Sequence, residues 1–206
     1  MPYTAEVAEA VDHYRARTIA VHVSVEARQV VLSQPEMEKL LRGAQCLALS
    51  DCECRAEQHK CEAPLETCIS LDETAQRRME QRGARMISLQ EALEVLERSH
   101  RAGLVHLAYR HDGSERVEAV CSCCSCCCFF LRALKGFEYH DALAESAFVA
   151  TLDADQCNGC QACVQRCQFG AWEATAEGVQ FQQPRCFGCG LCVSACPTGA
   201  IDLVPR

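Results

Sequence analysis

Two cysteine runs carry the clearest chemistry in this chain. Residues 157–167 read CNGCQACVQRC and residues 186–197 read CFGCGLCVSACP, each a C-x2-C-x2-C-x3-C run. They repeat at an interval of about 29 residues, Cys157 matching Cys186 and Cys167 matching Cys196, with the similar tails QFGAWEA and PTGAIDL behind them. Three thiols at i, i+3 and i+6 on a tight loop can converge on three corners of an iron–sulfur cubane. Gly159, Gly188 and Gly190 let backbone amides come close to the anionic sulfides and donate to them. Zinc is the other metal that eight thiolates could hold, but it usually takes two C-x2-C pairs separated by a longer loop. A triple C-x2-C-x2-C followed by x3-C does not suit it.

Over roughly residues 148–205 the chain resembles the bacterial 2[4Fe-4S] ferredoxins. The resemblance implies a ferredoxin-like dicluster fold with two [4Fe-4S] clusters and crossed ligation. One cluster would sit on Cys157, Cys160, Cys163 and Cys196, the other on Cys186, Cys189, Cys192 and Cys167. One position departs from the family. The first run ends Cys167-Gln168 where the family usually has Cys-Pro. Gln168 keeps a backbone N–H that proline lacks, which bears on the cluster's potential rather than on ligation.

Eleven cysteines remain, six of them in CSCCSCCC at residues 121–128. Packing needs no such density of thiols. The residues expected to ligate metal are Cys52, Cys54, Cys61, Cys68, Cys121, Cys123, Cys124, Cys126, Cys127 and Cys128, whereas Cys46 reads as a small buried hydrophobe. Cys54, Cys61 and Cys68 recur every seven residues with Pro64 between them, which suggests a loop winding around a site. If Cys121 and Cys123 end a strand, they project to one face and Cys124 to the other. If Cys126 to Cys128 open a helix, its amides and dipole would stabilise an anionic cluster, and neighbouring thiols about 100° apart could not all serve it. The expectation is at least one further iron–sulfur cluster: either two cofactors or one large one straddling the run, with one or two thiols to spare. A disulfide or zinc knot is the alternative. The C-x-C-R stretch, the GLVH strand and the cysteine-dense run resemble a cysteine-rich iron–sulfur protein family of anaerobes, in which such a region is fused to a ferredoxin module.

The elements that must position these thiols follow from pattern. Ser33 with Glu36, Ser70 with Glu73 and Ser88 with Glu91 read as capping boxes. They predict a helix ending at Gly43, a polar helix over about 71–82 closed by Gly83, and an amphipathic helix carrying Leu89, Ala92, Leu93 and Leu96 that ends near Gly103. A strand is predicted over 46–50, a hairpin over 104–121 and a helix starting in CCFFLRALK. The fold class is α+β: a mixed helix and hairpin domain over 1–145, winged-helix-like in outline, then a ferredoxin domain over 146–206. His106, on the strand face with Leu104 and Ala108, reads as a core histidine, and His59, next to Lys60-Cys61, either as an exposed loop residue or as a neighbour of the metal-binding thiols.

Composition narrows the function. Nineteen cysteines, about 9% of 206 residues, would suit a disulfide scaffold in a short secreted chain. The stretch MPYTAEVAEAVDHYRARTIA has no apolar core of the signal-peptide kind, and the cysteine count is odd, so a reducing cytoplasmic setting and metal-bound thiols are expected. No apolar run has the length of a membrane span. Net charge is −8, and the helix that would enter a DNA groove carries Glu91, Glu94 and Glu97, which would repel phosphates. No C-x-x-C-H, G-x-G-x-x-G or Walker A run occurs. The expected function is electron transfer with redox partner proteins, at potentials of roughly −400 mV for the C-terminal clusters. A reductase with an open iron site in the N-terminal centre, and a cysteine-based redox sensor, are the alternatives.

Overall fold

The computed structural model describes residues 14–19, 34–111, 116–137, 143 and 145–206. Its main element is a six-stranded antiparallel sheet in the order β1-β5-β6-β3-β2-β4. The strands are β1 (Tyr14–Ile19), β2 (Leu47–Asp51), β3 (Glu66–Leu71), β4 (Arg85–Met86), β5 (Val105–His111) and β6 (Ala119–Cys123). Between them run α1 (Gln34–Gly43), α2 (Glu53–Gln58), α3 (Asp72–Arg82) and α4 (Leu89–Arg101), and α5 (Phe129–Phe137) follows β6.

Alternation along the strands divides the covering layers. Leu47, Leu49, Ile69, Leu71 and Val120 bury one face against Leu41 of α1 and Ala92, Val95 and Leu96 of α4. Ala48, on the opposite face, packs with Ala75 of α3, and Cys46 packs with them as a half-buried hydrophobe. Further along that second face, Val105, Leu107 and Cys123 meet Leu131 and Leu134 of α5.

Several expected elements are present. Ser88 caps α4, its hydroxyl accepting from Glu91 N–H at 3.1 Å. Gly83 closes α3 at φ +68°, and β5 pairs with β6. Ser33 lies outside the described residues. Ser70 is not a cap: it sits inside β3, and α3 begins directly behind the strand at Asp72. Asp72 instead satisfies the chain upstream, its carboxylate accepting from Gln45 N–H at 2.6 Å. Because β3 pairs with β6, the β5–β6 hairpin lies in the middle of the sheet rather than projecting as a wing.

From residue 145 onward the elements are smaller: β7 (Phe148–Leu152), α6 (Ala162–Arg166), β8 (Trp172–Thr175), β9 (Gly178–Phe181), α7 (Leu191–Ala195) and β10 (Ile201–Pro205). β7 pairs with β10 and β8 with β9, both antiparallel. The sequence repeat is a structural repeat. α6 and α7 stand at matching positions, each entered through a left-handed residue, Gln161 at φ +60° and Gly190 at φ +78°. Ala171 N–H donates to Cys167 Sγ at 3.3 Å, and Ala200 N–H to Cys196 Sγ at the same 3.3 Å. No helix among the described residues is long and apolar enough to cross a membrane.

Candidate metal centres

Cys167, Cys186, Cys189 and Cys192 line one pocket, together with Ala150, Trp172, Leu191 and Leu203. Three of these thiols come from the second run and one from the first. Burial pushes Cys192 up to about 12 and also raises Cys186 and Cys189, with Cys167 adding charge repulsion to each. Protein N–H groups aim at the sulfurs: Ala150 N–H at Cys186, Ala171 N–H at Cys167, and the Trp172 indole at Cys192. An apolar cavity with four converging sulfurs and inward donors fits a [4Fe-4S] cluster. In the first run Cys163 is buried, Cys160 is exposed, and Cys157 and Cys160 raise Cys163 by repulsion after burial. Cys196 is the repeat mate of Cys167 and accepts the equivalent amide.

The N-terminal cysteines fall into two groups. Cys61 Sγ lies 3.6 Å from Cys124 Sγ and 4.0 Å from Cys127 Sγ, and Cys126 Sγ lies 3.8 Å from Cys127 Sγ. All four ligand atoms lie within 4.8 Å of one another. The other six form an open ring: Cys52 interacts with Cys54 and Cys68, Cys68 with its cross-strand partner Cys121, and Cys123 with Cys121 and Cys128, while Cys128 feels the charge of Cys54. The eight-residue run is therefore split: Cys121, Cys123 and Cys128 join the ring, while Cys124, Cys126 and Cys127 join Cys61.

Local structure explains the split. Cys121 and Cys123 are alternate residues of β6 and share a face with Cys68. The chain then leaves the sheet, and α5 begins only at Phe129, so Cys126 and Cys127 lie in the preceding turn rather than in the helix. Cys128 sits just ahead of the helix and accepts from Leu131 and Phe130 N–H; with Cys123 also donating to it, its thiol is lowered. Cys54 is not on a winding loop but on α2, with Cys52 at that helix's N-cap and Cys68 in β3.

Electrostatics couples the thiols within each group. Cys54 donates to Cys52 and works to lower it, but Cys68 and burial outweigh this and push Cys52 up to about 12. Cys68 and Cys123 are raised well above the usual thiol range by neighbouring thiols and burial. Cys124 goes the other way. Burial raises it, yet donors from Cys126, Arg55, Cys61 and the Cys127 amide bring it to about 7. A metal ion bound among such thiols would remove their protons outright.

Arg55 is the functional residue that sequence reasoning left without a role. It is 1% exposed, and its guanidinium donates to Pro64 O, Ser122 O, Thr67 Oγ1 and, at 3.8 Å, Cys124 Sγ. Burial works against its charge, but Cys52, Cys124 and Cys123 more than restore it. Only the C-x-C-R pattern itself could have pointed to it. His106 is a core histidine, 2.9 Å from Ser122 Oγ and stacked near His100.

Gln168 has a second consequence beyond its N–H. Its side chain donates to Gly103 O and accepts from Ser125 N–H, both at 3.0 Å, which ties the first cysteine run to the six-cysteine run. Arg166 donates to the α4 carbonyls of His100 and Arg101 at 2.6 and 2.8 Å. Phe187, Cys189 and Leu191 share an apolar cluster with Cys123, Cys128 and Leu131.

Residues 156–201 match the 4Fe-4S dicluster domain family, a span that takes in all eight cysteines of the two runs. No curated protein matches the chain. The match defines a ferredoxin-like C-terminal part and, with the cysteine-rich N-terminal sheet, marks an iron–sulfur protein of the electron-transfer kind.

Proposed function

We propose that the protein carries low-potential electrons between a C-terminal pair of [4Fe-4S] clusters and a further iron–sulfur centre in its N-terminal part. Residues 146–206 form the dicluster module, with Cys157, Cys160, Cys163 and Cys196 on one cluster and Cys186, Cys189, Cys192 and Cys167 on the other. Residues 1–145 form the second module, and the ring of Cys52, Cys54, Cys68, Cys121, Cys123 and Cys128 holds its iron–sulfur centre. The observation that carries this reading is the shared apolar cluster of Cys189 with Cys123 and Cys128. Contact through these residues supports a short route from the inner C-terminal cluster to the N-terminal ring. Cys160 is exposed, and a redox partner protein would meet the outer cluster there.

Electron paramagnetic resonance of the full chain, reduced with dithionite, tests the reading. Adjacent reduced clusters should give broadened, magnetically interacting signals, and Cys68→Ser should simplify them by removing the N-terminal contribution. Sharp, independent signals unchanged by Cys68→Ser would contradict an electron route between the two modules.

A further inference from the structure

The four-cysteine group does not have the dimensions of a cubane site. A cubane places each thiolate on a different iron at a separate corner, which spreads the sulfurs apart. A single tetrahedral ion with metal–sulfur bonds of about 2.3 Å holds its four sulfurs about 3.8 Å from one another. Three of the six separations, 3.6, 3.8 and 4.0 Å, lie around that value, and all six are within 4.8 Å. We propose that Cys61, Cys124, Cys126 and Cys127 bind one divalent metal ion, Zn²⁺ or Fe²⁺, without inorganic sulfide.

The surroundings suit such a centre. The donors come from two segments: Cys61 from the loop between α2 and β3, and the other three from the turn between β6 and α5. Leu104 and Ala63 pack around them. The turn is fixed independently, by Cys128 N–H donating to Cys124 O at 3.0 Å and by Ser125 N–H donating to Gln168. A divalent ion on four thiolates carries a net charge of −2, and the buried guanidinium of Arg55, donating to Cys124 Sγ, offsets part of it. With four protein ligands the site has no open position, so its role is to clip the Cys61 loop to the turn. The inference stands apart from the electron-transfer reading, because it concerns four thiols outside the ring and both cysteine runs.

Metal and sulfide analysis of the full chain, purified without oxygen, tests it. Cubanes contain iron and inorganic sulfide in equal number, so a single-ion site appears as an excess of about one metal ion over sulfide per chain. Elemental analysis distinguishes zinc from iron as that excess. Cys61→Ser and Cys126→Ser should each abolish the excess and leave sulfide unchanged, with far-UV circular dichroism confirming that the variants are folded. A folded variant that loses sulfide along with iron would show that these cysteines hold a cluster and would overturn the proposal. A wild-type chain without excess metal overturns it equally, and that measurement does not depend on any variant folding.

Discussion

Arg55 is a buried guanidinium with no carboxylate partner among the described residues, and it lies between the two groups of N-terminal thiols. A buried charge is tolerated only when it is paired and hydrogen-bonded, and here the pairing comes from sulfur. Arg55→Met should therefore leave metal-bound thiolates without their counter-charge. We expect a loss of about 3 kcal/mol or more in the stability of the metal-loaded protein, read from its urea midpoint, together with reduced N-terminal metal content. Unchanged metal content in Arg55→Met would mean that the guanidinium serves only its backbone carbonyls. In the sequence Arg55 is one letter after Cys54. Its role depends on Ser122 and Cys124, 67 and 69 residues further on, and no local pattern encodes that meeting. Gln168 was visible as a departure from the family, but its bridge to Gly103 and Ser125 was not, because both partners lie in a different part of the fold.

The repeat was legible at the scale of elements because its spacing is covalent. Cys-x2-Cys-x2-Cys dictates one loop geometry wherever it occurs, and the left-handed positions at Gly159 and Gly188 match at φ +69° and +66°. Gly188 has a further constraint, since a Cβ there would collide with Phe148 O and Ser146 Oγ. Gly188→Ala should destabilise the C-terminal part by about 2 kcal/mol or more and lower its iron content. Gly43→Ala, at a helix end with nothing near the added methyl, should be tolerated, and comparing thermal midpoints of the two variants checks the contrast. Crossed ligation yields a second prediction. Cys196→Ser should damage the cluster held by Cys157, Cys160 and Cys163 and spare the cavity formed by Cys167, Cys186, Cys189 and Cys192; resonance spectra that show the opposite loss would reverse the assignment. Strand β3 was hidden for a physical reason. Ser70-x-x-Glu73 has the letters of a capping box, but the strand runs directly into α3 with no intervening loop, so the helix start signal falls inside the strand. β1 was hidden because its Tyr-Arg-Ala-Arg-Thr-Ile pattern lies at the sheet edge, where few apolar residues are needed.

Across the whole molecule, aliphatic packing and cysteine chemistry divide the work. The sheet and α4 supply an ordinary core, while the second face ends in thiols where the C-terminal elements dock. That docking joins Arg166 to the end of α4 and His100 to Ser194 at 2.8 Å, so the cysteine centres are held by contacts drawn from both parts of the chain. The central claim is that iron–sulfur clusters occupy the N-terminal ring as well as the two C-terminal sites. Iron and acid-labile sulfide counted on the full chain, purified without oxygen, test it most directly. The account predicts about eight irons from the dicluster part and at least about four more from the ring, with sulfide rising in step. A folded chain that stops at about eight irons and eight sulfides would contradict it.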